Sequence, residues 1–184
     1  IYFKPQMFGQ EVTQEQRDLM TDFMRRVRAM ADETAAQRGR PMLIAVRVPD
    51  SVECAAAIGL DLTQWLEEEL IDLMVVSCYF RLNPWQTSVE LGHRHGVPVY
   101  PSLSDARSKH RESQRLRASS ACYRGRAIEA WRAGADGIYL FNYFNPRGDV
   151  FRELGDPTAL AAMAQCYPAG VMSAQVINYW VAGG

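Results

Sequence analysis

No stretch of the 184 residues comes near the roughly 18 consecutive apolar residues that a membrane-spanning helix needs, and no secretory leader is visible. Charge of one sign is missing too. Lys plus Arg is 20 against 21 for Asp plus Glu, which gives neither nucleic acid nor an anionic membrane surface anything to hold. Histidine is scarce, and His93 and His95, two residues apart, fall on different faces of a helix, so no shared metal site is expected. The glycine-rich phosphate loops GxGxxG and GxxxxGK[ST] are absent, which argues against a nucleotide enzyme, and no cofactor is called for. The four cysteines (Cys54, Cys78, Cys122 and Cys166) lie far apart with no CxxC pair. They read as reduced core residues and leave redox compartment and localisation open.

What is present suits one globular domain with a real core: 48% hydrophobic and 22% charged residues. The chain is organised around Ala133–Asn145, A-G-A-D-G-I-Y-L-F-N-Y-F-N. A helical pattern runs into Gly134, a favoured residue just past a helix end. Asp136-Gly137 turns into Ile138–Phe141, a short apolar run that reads as a buried strand. Asn142, Tyr143 and Asn145 form its polar, aromatic tip. In α/β folds, ligands meet the chain beyond the carboxyl ends of such strands.

The same unit recurs along the chain. Thr13 opens a helix with Gln16 as its capping-box partner, apolar at Met20, Phe23, Met24, Val27, Met30 and Ala31, and closed by Gly39 and Pro41. Met42–Val46 reads as the first strand, followed by a short helix near 52–58 and another capped by Asp61. Leu73–Val76 is the second strand. Asn83-Pro84 opens a helix that stops at Gly96, with Asn83 as cap. Val97–Tyr100 is the third strand, and a helix from about Arg115 to Ala133 leads into the fourth. Asp156-Pro157 starts a last helix ending near Cys166. Four strands alternating with helices imply a parallel sheet. Half of an eight-stranded barrel and a four-stranded open sheet fit this spacing equally.

Four phrases in succession carry a resemblance: V-R-V-P-D (46–50), G-L-D-L-T-Q-W-L-E-E-E-L-I-D-L-M-V-V (59–76), H-G-V-P-V-Y-P-S-L (95–103) and G-A-D-G-I-Y-L-F-N (134–142). Residues 40 to 145 resemble the second half of a glycosyl-hydrolase-like TIM barrel, of the family 10-like glycosyl hydrolase group of bacteria. The resemblance implies that the four strands correspond to strands five to eight, and that the family's acidic motif lies upstream of Ile1. It further implies hydrolysis of O-glycosidic bonds in a poly- or oligosaccharide, with residues 1–166 as a partial barrel and 167–184 as a tail toward a following β-sandwich. The start at Ile1, without an initiator Met, and the apolar I-N-Y-W tail (177–180) are expected of a piece of a longer protein.

Glycoside hydrolysis needs two carboxyl groups across the scissile bond. The strand tips offer Asp50 and Asp105, each with a plainer role: helix capping for Asp50, a solvated loop for Asp105. The sugar-binding signal is richer. Tyr79, Tyr100 and Tyr143 lie near strand ends with Arg47, Arg81, Ser102, Asn142 and Asn145, and aromatic faces pack on sugar rings while Arg and Asn pair with hydroxyls. The basic run Arg107–Arg117 reads as a solvated loop. A carbohydrate ligand is therefore the expected partner. A non-catalytic carbohydrate-binding barrel, and a half-barrel that pairs with a second copy or with a missing N-terminal half, stand beside the hydrolase.

Overall fold

The computed structural model describes residues 9–77, 81–104 and 111–167. The first element is helix α1 (Gln14–Arg38). The Thr13 hydroxyl accepts from the Gln16 N–H, and the Gln16 side chain accepts from the Thr13 N–H at 3.0 Å, the reciprocal cap expected of this spacing. Gly39 ends the helix at φ 65°, a left-handed position that glycine adopts without a Cβ clash. Only part of the anticipated apolar stripe is used: Met24 and Ala31 are buried, whereas Phe23 and Met30 stay exposed.

The chain continues as β1 (Ala45–Val48), α2 (Val52–Ala57), α3 (Leu62–Glu67), β2 (Leu73–Val76), α4 (Trp85–Arg94) and β3 (Val99–Leu103). After these come α5 (Arg111–Arg117), α6 (Ser120–Arg132), β4 (Tyr139–Leu140), α7 (Val150–Glu153) and α8 (Pro157–Ala161). Asp61 and Asp156 cap α3 and α8 as their positions suggest. Four local expectations are corrected. Strands β1 and β3 begin and end two to three residues later than the apolar runs indicate. Ser51 rather than Asp50 caps α2, its Oγ accepting from Cys54 N–H at 3.1 Å. Asn83 does not cap α4, because its side-chain amide donates to the Asp50 carbonyl at 2.7 Å. The single helix expected from about Arg115 is two, divided where Ser119 turns extended and caps α6.

The four strands form one all-parallel sheet in the order β1-β2-β3-β4, so the fold is α/β. Each connection steps to the next strand in one direction. Right-handed crossovers then place every connecting helix on the same face.

An internal repeat fixes the amino-terminal ends of the strands. Ahead of β2, the Asp72 N–H donates to the Ile44 carbonyl at 2.9 Å while its carboxylate accepts the Ile44 N–H at 2.6 Å. Ahead of β4, Asp136 makes the same exchange with Val99, at 3.0 and 2.7 Å. Each aspartate also meets a side chain from the helix before the pair: the Arg28 guanidinium of α1 at 2.7 Å and the His93 imidazole of α4 at 2.8 Å. Residues Glu69 and Gly134, both at positive φ, turn the preceding helices into these clamps. The β1–β2 and β3–β4 pairs are thus built to one plan. Between helices and sheet, Leu62, Trp65, Leu66, Met74, Val76, Val89, Val99 and Ala127 pack into one core. The Trp65 indole N–H is satisfied at its centre by the fully buried Thr21 hydroxyl, 3.0 Å away.

Candidate functional site

Residues paired across a parallel sheet share a face, and alternation along each strand assigns the rest. A methyl group at Gly92 of α4 would overlap Val99 Cγ2 and lie 3.4 Å from Met74 Cε, so Met74 and Val99 point at the helices. The face turned away from them therefore carries Arg47, Val75 and Tyr100 in one row, then Ser102 paired with Tyr139 in the next. Phe141 follows in phase with Tyr139, its N–H continuing the ladder to the Leu103 carbonyl at 2.9 Å.

Three features shape this face. The Arg47 guanidinium carbon lies 4.2 Å from the centroid of the Phe141 ring, although β1 and β4 are the two edges of the sheet. Three strand spacings separate such edges by about 14 Å in a flat sheet, so two side chains that meet across them span a concave surface. The Tyr100 ring occupies the place a side chain at Gly137 would take, which turns it flat along the neighbouring strand. Ser102 is 5% exposed and its hydroxyl has no hydrogen-bond partner among the described residues. A buried hydroxyl without a partner carries a desolvation cost of about 1–3 kcal/mol, which a bound polar group would relieve.

The carboxyl ends of the strands frame the same surface. Ser77, directly after β2, and Asn142, two residues past β4, both hold left-handed backbone conformations, φ 65° and 55°. Outside glycine such conformations store strain, and they gather at functional sites. Beyond β3, the Ser104 carbonyl accepts from Arg126 at 2.5 Å and from Arg117 at 3.3 Å. Burial, then the neighbouring Arg117 charge, pulls Arg126 below the ordinary arginine range. It keeps its place through further bonds to the Arg117 and Cys122 carbonyls.

The residues singled out from sequence separate into groups. Arg47, Tyr100 and Ser102 come together on the concave face, and Asn142 sits exposed at its rim. Asp50 turns elsewhere: its Oδ2 accepts the Leu82 and Asn83 N–H groups at 2.7 and 2.9 Å, and only 4% of the residue is exposed. Its carboxylate holds the loop after β2 against the loop after β1. Arg81 lies outside the sheet, 5.3 Å over the Trp85 ring and 3.4 Å from Glu129, in a cleft of about 510 Å³. Tyr143 packs edge-on against Tyr123 and Phe151, toward the helices. Asn145 is exposed, and its side chain accepts from the Arg147 N–H at 3.3 Å. Tyr79 and Asp105 lie outside the described residues. Tyr139 and Phe141 were not singled out, although period-two alternation from Gly137 places both aromatic rings on one face.

Among the described residues, no group of three or more His, Cys, Asp or Glu side chains could hold a metal ion, and no helix is long and apolar enough to cross a membrane. Fold and surface together define an α/β protein with a concave, aromatic and hydroxyl-bearing sheet face. No family model matches the chain, and no curated protein is significantly similar to it.

Proposed function

We propose that this chain forms the binding wall of a carbohydrate-active barrel, with a saccharide lying on the concave face among Arg47, Tyr100, Ser102 and Phe141. The reading rests on one observation above all: a buried Ser102 hydroxyl, unpartnered among the described residues, on a face whose two edges are joined by Arg47 over Phe141. Sugars match this surface chemically. Their C–H faces stack on aromatic rings, and their hydroxyls accept from Arg and exchange hydrogen bonds with Ser. The sequential strand order supports a half of an eight-stranded barrel, because doubly wound sheets reverse direction and this one does not. Barrel closure in this reading takes four further strands, from another part of the same protein or from a second copy.

Hydrolysis of O-glycosidic bonds is the enzymatic form of the same proposal, and it rests on the family resemblance. Asp50 is committed to two backbone N–H groups, so the acid and base would be Asp105 and carboxyl groups outside the chain. The deciding experiment measures binding of a neutral oligosaccharide panel by calorimetry, with Arg47→Ala, Tyr100→Ala and Ser102→Ala beside the wild type. Binding that weakens in all three variants is the expected result. A panel with no ligand, or binding indifferent to the three changes, overturns the proposal. Released reducing sugar then separates a hydrolase from a binding barrel.

A further inference from the structure

Two of the cysteines that lie far apart in sequence are neighbours in the fold. Cys122 is fully buried on α6, and Cys166 follows α8 on a segment laid along that helix. The Cys166 N–H donates to the Ala121 carbonyl at 2.9 Å, and Arg124 donates to the Ala164 carbonyl at 3.3 Å. Gly125 makes the approach possible: a Cβ there would sit 2.5 Å from the Cys166 carbonyl oxygen. Standard bond lengths on either side of the Ala121–Cys166 hydrogen bond hold the two cysteine Cα atoms within about 7 Å, and disulfides span about 4.4–6.8 Å. Both cysteines are free thiols.

We propose that Cys122 and Cys166 are an oxidisable pair that closes to an intramolecular disulfide by exchange with a low-molecular-weight disulfide. The more accessible Cys166 thiolate attacks the small disulfide, forming a mixed disulfide and releasing one small thiol. The Cys122 thiol gives up its proton and attacks the Cys166 sulfur, which releases the second small thiol and leaves the Cys122–Cys166 bond. Two protein thiols are oxidised while one small disulfide is reduced. The hydrogen bond to Cys122, and then burial, hold the Cys166 thiol above its ordinary range.

Closure fastens the segment after α8 onto α6. That helix also carries Tyr123, against which Tyr143 of the loop after β4 packs, and Arg124, bound through two bonds of 2.8 Å to Glu153 of α7. The bond therefore stiffens the loop at the rim of the concave face, whichever ligand that face takes.

The test incubates the reduced protein with glutathione disulfide, blocks remaining thiols with an alkylating agent and maps the peptides. A Cys122–Cys166 linked peptide pair within one chain is expected, with Tm raised by about 5–10 °C and restored by reductant. The Cys54→Ser/Cys78→Ser variant keeps the link, Cys166→Ser abolishes it, and Gly125→Ala slows its formation at least about tenfold by lifting the segment. Two separate glutathione adducts, alkylation of both cysteines, or a link to Cys54, Cys78 or another chain overturns the proposal.

Discussion

The Arg47 guanidinium stacks on the Phe141 ring at 4.2 Å, joining the first and last strands of the sheet across the face that the helices leave uncovered. An exposed arginine over a phenylalanine contributes about 0.5–1 kcal/mol. Arg47→Ala is accordingly expected to lower Tm by only about 1–4 °C. If the face binds a saccharide, the same change weakens binding at least about tenfold, or about 1.4 kcal/mol. Calorimetric titration beside a thermal melt separates these effects, and equal, small losses in both would remove Arg47 from the binding wall.

Asp72 and Asp136 sit at the opposite, amino-terminal ends of the strands, away from the carboxyl ends where ligands meet parallel α/β sheets. Removing either carboxylate leaves a backbone N–H, of Ile44 or Val99, without its acceptor. Asp72→Ala and Asp136→Ala are each expected to cost about 1–3 kcal/mol in urea unfolding and to leave ligand affinity unchanged. The Asp72 change also removes one of the two carboxylates that Arg28 pairs with, while Asp32 stays bound to it at 2.8 Å.

Gly137→Ala sets a methyl group against the Tyr100 ring. Overpacking of this kind costs about 1–3 kcal/mol. In a Tyr100→Ala background the clash is gone, so the two changes are strongly non-additive in a double-mutant cycle. Simple additivity would show that Tyr100 does not lie over Gly137.

Asp50→Ala is expected to destabilise by about 2–3 kcal/mol, because two backbone N–H groups lose a charged acceptor, while Asp50→Asn retains one acceptor oxygen and costs less. Should the protein hydrolyse glycosides, Asp50→Asn keeps activity within a few-fold. A loss of several orders of magnitude in kcat with an unchanged Tm would reassign Asp50 to the chemistry.

Much of the architecture was legible in the chain because its signals are local. The Thr13/Gln16 capping box, the left-handed turn at Gly39, the aspartate caps at Asp61 and Asp156 and the apolar run Leu73–Val76 each depend on residues within one helical turn or one strand. Four helix-separated strands were enough to require a parallel sheet. Strand limits shifted because the ladder, rather than hydrophobicity, decides where pairing begins, and Asp72 and Asp136 start it late.

Destinations of side chains were decided only by the tertiary structure. Asp50 serves backbone groups 32 and 33 residues away, Tyr143 turns to the helices, and Arg47 finds Phe141 at the far edge of the sheet. Cys122 and Cys166 meet because Gly125 leaves room for a returning segment. By itself the sequence determined the four strands and most of the helices between them, since propensity, capping and periodicity act over a few residues. Which polar groups face a ligand and which hold the backbone together was settled by contacts between elements, because a charge or a ring binds whatever the fold brings within a few ångströms.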